Sequence, residues 1–94
     1  MQYYVFTKLS KNKYIKESSD NAFHISFSKE YANEWYFGNR LLSTCDSIAL
    51  ADDMCHLLAD RLKRKRKKSR SRTRLSTIQE WVIEIEWQLK IRHH

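Results

Sequence analysis

The chain opens on an alternation. In Gln2–Leu9, Tyr3, Val5, Thr7 and Leu9 fall on one face and Tyr4, Phe6 and Lys8 on the other, the period of two that marks a β-strand. Ser10–Lys13 is polar and turn-like, and Tyr14–Glu17 is short and β-prone, so the two predict a hairpin whose turn lacks the Asn-Gly signature. A second turn at Glu17–Asn21 leads into Ala22–Ser28, where Phe23, Ile25 and Phe27 alternate with His24 and Ser26. The pattern predicts three strands in the first 28 residues.

The period changes at Ser28. That serine can cap a short helix with Tyr31, Ala32 and Trp35 on one face, and Gly38, the only glycine, can end it in a left-handed conformation. A longer helix follows, capped by Asp46 or Ser47. Leu50, Ala51, Met54, Leu57, Leu58 and Leu62 recur in it at spacings of three and four. Its acids (Asp46, Asp52, Asp53, Asp60) sit early and centrally and its bases gather at the end, an order that suits the helix dipole and lets the helix run to about Lys68. Residues 63–77 carry the basic run and end in Ser, Thr and Arg, a composition that predicts a mobile loop. The closing segment alternates over twelve residues. Trp81, Ile83, Ile85, Trp87, Leu89 and Ile91 take one side and Glu80, Val82, Glu84, Glu86, Gln88 and Lys90 the other, which predicts a long half-buried strand. The expected fold is α+β. A small antiparallel sheet of three to four strands packs on one or two helices within a single domain, 1–94, with the basic loop before the last strand.

Charge sharpens this picture. The 94 residues carry a net +7, but ten of the 18 Lys and Arg lie between Arg61 and Arg74, where there is no acid. The rest of the chain holds eight basic and eleven acidic side chains, a net of −3. Arg61, Lys63, Arg64, Lys65, Arg66, Lys67, Lys68, Arg70, Arg72 and Arg74 are therefore the candidate nucleic-acid contacts. Mutual repulsion is relieved by an anionic partner, and phosphate backbones supply one by releasing condensed counterions. No aromatic residue lies between Arg61 and Glu80, so the segment by itself reads as a backbone grip without base stacking. The alternatives are a solvated loop, pairing with the chain's own acids, or a targeting signal at Lys63–Lys68.

Other chemistry is sparse. Glu80, Glu84 and Glu86 would share the polar face of the last strand, a solvent face or a candidate patch for a basic protein partner, with Tyr36 a further candidate contact. Gln88 stands where a nuclease sheet would carry the acid two residues before Lys90. Cys45, Cys55 and His56 lack zinc-knuckle spacing, so no metal, cofactor or catalytic residue is expected, and Cys55 reads as a buried thiol. His24 falls on the outer side of its strand, and His93 and His94 close the chain. Among the twelve aromatics, Phe23, Phe27, Trp35, Trp81 and Trp87 suit the core, and one member each of Tyr3/Tyr4 and Tyr36/Phe37 is expected outside. No apolar run reaches the length of a membrane span and no secretory signal is visible; with two cysteines, this points to a cytoplasmic protein.

In layout the chain is similar to short phage or mobile-element proteins: a strand from the second residue (QYYVFTKL), a short β element (KYIKE), a helix (IALADDMCHLLADRL) and a closing strand (EWVIEIEW). Inhibitors of host defence such as anti-CRISPR proteins resemble it in size and organisation. That resemblance implies a non-enzymatic regulator that blocks a nuclease–guide RNA complex in the host cytoplasm. The expected partner is nucleic acid or a nucleic-acid–protein complex, including a host-defence nuclease, and an exposed sheet edge leaves room for a homodimer. The alternatives are a protein–protein inhibitor that needs no nucleic acid and a small basic ribonuclease toxin using His24, His56 or the acidic strand.

Overall fold

A computed structural model describes residues 1–92. The fold is α+β, with a four-stranded antiparallel sheet and two long helices. Strand β1 (Tyr3–Ser10) is central and pairs with the other three: β2 (Tyr14–Ile15), β3 (Phe23–Ser26) and β4 (Asn39–Cys45). Its register places Val5 opposite both Ile25 and Ser43, and a bulge interrupts the β1–β4 ladder between Val5 and Phe6.

The hairpin closes through Lys11 and Asn12, both left-handed at φ 53° and 60°, with Lys13 N–H donating to the Ser10 carbonyl at 3.1 Å. Ser10 pairs with Tyr14, so residues 11–13 form a three-residue loop, and Lys11 and Asn12 take left-handed conformations in it without a Gly. Beyond β3, Ser28 Oγ accepts from Tyr31 N–H at 3.1 Å and starts the one-turn helix α1 (Lys29–Ala32). A 3₁₀ turn at Trp35–Phe37 ends at Gly38, left-handed as expected at φ 79°. Only glycine fits there: a Cβ would stand 2.9 Å from the Leu9 carbonyl oxygen.

Helix α2 (Ile48–Lys68) is capped by Ser47, whose Oγ accepts from Leu50 N–H. Its stripe Ala51, Met54, Leu58 and Leu62 is fully buried against Val5, Leu9 and Ile15 of the sheet. The helix does not stop at residue 62. It carries Lys63–Lys68 as helix, which leaves residues 69–74 as the connection in place of a loop over 63–77. The dipole favours this, because Lys65, Arg66, Lys67 and Lys68 occupy the last turn beside the unpaired carbonyls.

The expected last strand is a helix, α3 (Leu75–Arg92). Its sequence satisfies both periods. Ile78, Val82, Ile85 and Leu89 recur at helical spacing and are buried, with Trp81 packed beside them. Glu, Gln, Leu and Lys favour helix locally, and the partner edge that a strand would need is held by β4. That strand escapes period-two reading because Asn39, Arg40 and Ser43 are polar and buried. The helix leaves Ile83, Trp87 and Ile91 on its solvent side. Phe27, Trp35 and Trp87, expected in the core, are exposed, as are both Tyr36 and Phe37, whereas Tyr3 and Tyr4 are both half-buried. The other face of the sheet is partly covered: Phe6 is buried against Tyr31 and His24. Among the described residues, no helix is long and apolar enough to cross a membrane.

Candidate nucleic-acid interface

Past Leu62 helix α2 has no buried residue, and its last six residues, all Lys or Arg and exposed or half-buried, form a cationic post. The ten candidate contacts fall into groups. Arg61 pairs with Glu84 of α3, across the α2–α3 seam. Lys65 turns back over the connection, with Nζ 3.3 Å from the Ser71 carbonyl and 3.4 Å from Ser71 Oγ. Ser69 and Ser71 bond each other through their hydroxyls at 2.7 Å. Arg72 and Arg74 lie over the ring of Tyr14, at 5.5 and 5.8 Å from its centroid. The other six, Lys63, Arg64, Arg66, Lys67, Lys68 and Arg70, have no carboxylate partner among the described residues.

The connection is stitched to the hairpin. Ile15 N–H donates to the Thr73 carbonyl at 2.8 Å, and Leu75 N–H donates to the Lys13 carbonyl at 3.1 Å. Tyr14 and Arg74 form an antiparallel bridge between these bonds. A recess of about 220 Å³ opens beside them, lined by Ser10, Tyr14, Ile15, Lys16 and Arg72. A second, of about 260 Å³, lies between Arg61, Arg64 and the partly buried Trp81. So the tertiary structure supplies aromatic rings that the basic segment lacks in sequence.

The strip continues across the hairpin turn. Asn12 Oδ1 accepts from Arg40 Nη2 at 2.9 Å, and the Arg40 guanidinium stacks 3.8 Å over Trp35 while Nη1 donates to the Asn39 carbonyl. Burial lowers the Arg40 pKa, yet a guanidinium keeps its charge at neutral pH. Trp35 is nevertheless 64% exposed and Tyr36 89%. Sequence reading missed Tyr14, Trp35 and Arg40 as site residues. The clue was the basic hairpin tip, Lys11-Asn12-Lys13, which brings lysines of its own to the same side chains.

The acidic candidates do not form one patch. Glu80 and Glu84 lie one turn apart, whereas Glu86 turns toward β4 and accepts from Ser43 Oγ at 2.9 Å. Next to that bond is a cavity of about 480 Å³, which Cys45, Asp46, Met54, Glu86, Leu89 and Lys90 help to line. Burial raises the Cys45 pKa, with Glu86 and Asp46 adding to the effect against the Ser43 hydrogen bond. The Cys55 thiol, half-buried, is pushed up to about 12, chiefly by burial and then by Asp52 and Cys45. Both are neutral thiols at physiological pH and poor nucleophiles. His24 Nε2 lies 3.1 Å from Glu17 Oε1, and no group of three His, Cys, Asp or Glu among the described residues is placed to hold a metal. His93 and His94 lie outside the described residues. Compared with protein-family models, curated proteins and solved structures, this chain matches none of them.

Proposed function

We propose that the protein is a small binding protein that grips the phosphate backbone of a nucleic acid, free or within a nucleic-acid–protein complex, and acts as its regulator or inhibitor. One observation supports the reading above the others: six cations at the end of α2 and in the connection have no carboxylate partner among the described residues. A solvated loop would relieve that repulsion by spreading; here a helix and two main-chain bonds to the hairpin hold the charges close together. The resemblance in size to anti-CRISPR proteins, whose closing strand is replaced by helix α3 here, suggests a nuclease–guide RNA complex in the cytoplasm as the class of target.

The experiment is a salt titration of binding by fluorescence anisotropy, using labelled RNA and DNA of about 20 nucleotides. Six phosphate contacts give a slope of log affinity against log salt near −5 for duplex DNA and near −4 for single strands. Changing Lys63, Arg64, Arg66, Lys67 and Lys68 to Gln should flatten the slope and weaken binding at every sequence tested. An affinity that ignores salt, or no binding, overturns the proposal and leaves a protein target that needs no nucleic acid.

A further inference from the structure

The surface cations, the exposed rings of Trp35 and Tyr36, the half-buried ring of Tyr14 and the buried guanidinium of Arg40 form one strip. From the post at the end of α2 it passes through Arg72 and Arg74 to Tyr14, over the hairpin tip with Lys11 and Lys13, and through Asn12 to Arg40 and Trp35. Each step is a hydrogen bond, a cation–π contact or a covalent neighbour. Two rings on it face solvent. Trp35 leaves 64% of its surface in solvent although Arg40 covers one face of its ring, so the opposite face is open. Tyr36, next in the chain and 89% exposed, packs edge-on against Phe37 and is otherwise outward.

We infer that this strip binds single-stranded nucleic acid, with bases stacked on Tyr14, Trp35 and Tyr36 and phosphates on the cations between and beside them. The inference rests on the phosphate-gripping reading and adds a substrate class to it. A duplex presents phosphates but keeps its base faces stacked internally, so it has nothing to offer outward-facing rings. A single strand presents both. Stacking is sequence-tolerant, because every base has a π-face, and a guanidinium on the far side of the ring strengthens the platform.

The test measures affinity for a 20-nucleotide single strand and for the duplex of the same sequence, in wild type, Trp35→Ala, Tyr36→Ala and Tyr14→Ala. Tyr36→Ala serves where Trp35→Ala disturbs Arg40, and circular dichroism confirms the fold of each. The expected result is a preference for the single strand, a loss of about 5- to 100-fold per ring removed, and a salt slope unchanged by these variants. Trp35 fluorescence, isolated by Trp81→Phe and Trp87→Phe, should be quenched on binding. Equal or tighter duplex binding, indifferent to all three variants, overturns this inference while the phosphate reading stands; the rings then belong to a protein contact. Absence of any salt-dependent binding overturns the phosphate reading itself.

Discussion

The main-chain N–H of Ile15 donates to the carbonyl of Thr73 at 2.8 Å. Through this bond the basic connection becomes an added edge of the β1–β2 hairpin, and Arg72 and Arg74 are carried onto Tyr14. Thr73 itself is buried, and its Oγ1 has no hydrogen-bond partner. Replacing a buried, unpartnered hydroxyl by a methyl of the same shape removes a desolvation cost. Thr73→Val should therefore be neutral to stabilising by about 1 kcal/mol, read from denaturant midpoints. The Ile15 and Leu75 amides should exchange slowly against deuterium, and the Arg70 amide quickly.

Gly38 occupies a tight backbone position. At φ 79° an alanine pays for the left-handed conformation, and its Cβ would press on the Leu9 carbonyl at 2.9 Å. Main chain on main chain cannot swing away as a side chain can. Gly38→Ala should cost about 2–3 kcal/mol and lower the thermal midpoint by about 10 °C or more.

Lys11 gives the opposite sign. It is a left-handed lysine at the hairpin tip with φ 53°. Lys11→Gly or Lys11→Asn should stabilise by about 0.5–1 kcal/mol. Asn12→Ala should destabilise, since it keeps the left-handed strain and deprives Arg40 Nη2 of its acceptor. Thermal denaturation of the three variants side by side checks both directions.

Helix and strand readings of α3 part company at two neighbouring residues. Ile85 is fully buried and Ile83 is exposed. Ile85→Ala should cost about 3 kcal/mol by leaving a cavity, and Ile83→Ala should stay within about 0.5 kcal/mol. Equal costs would place the two on one face, as in a strand.

The thiols predict an alkaline weakness. In the unfolded chain a cysteine ionises near 8.5, whereas in the fold Cys55 is held neutral up to about 12 and Cys45 is also raised. Their contribution to stability is complete below the unfolded value and is lost as pH climbs from there toward the folded one. The limiting slope is about 1.4 kcal/mol per pH unit for each thiol. Urea melts of wild type and Cys55→Ala between pH 8 and 10 isolate the effect, the difference between them shrinking as pH rises. Thiol reagents should react slowly with the native protein and rapidly in denaturant.

Much of this molecule is legible in local pattern. The alternation of Gln2–Leu9, the caps at Ser28 and Ser47, the left-handed stop at Gly38, and the stripe from Ala51 to Leu62 are each visible as a pattern within a short stretch of chain. The two caps are local hydrogen bonds, whereas the strand and the stripe announce a face that the rest of the fold then covers. The segregation of ten cations into Arg61–Arg74 is likewise a property of composition. What sequence leaves open is decided between distant segments. Residues 75–92 carry two periods at once, and only the packing of Ile78, Val82, Ile85 and Leu89 against the shared core selects the helix. Strand β4 exists because the edge of β1 needed a partner, not because Asn39-Arg40-Leu41-Leu42 announces a strand. The meeting of Tyr14 with Arg72 and Arg74, and of Arg40 with Trp35, depends on hydrogen bonds across the fold. Charge is written into a chain one residue at a time, but a surface on which charge and aromatic rings stand together needs segments far apart in sequence to be brought side by side.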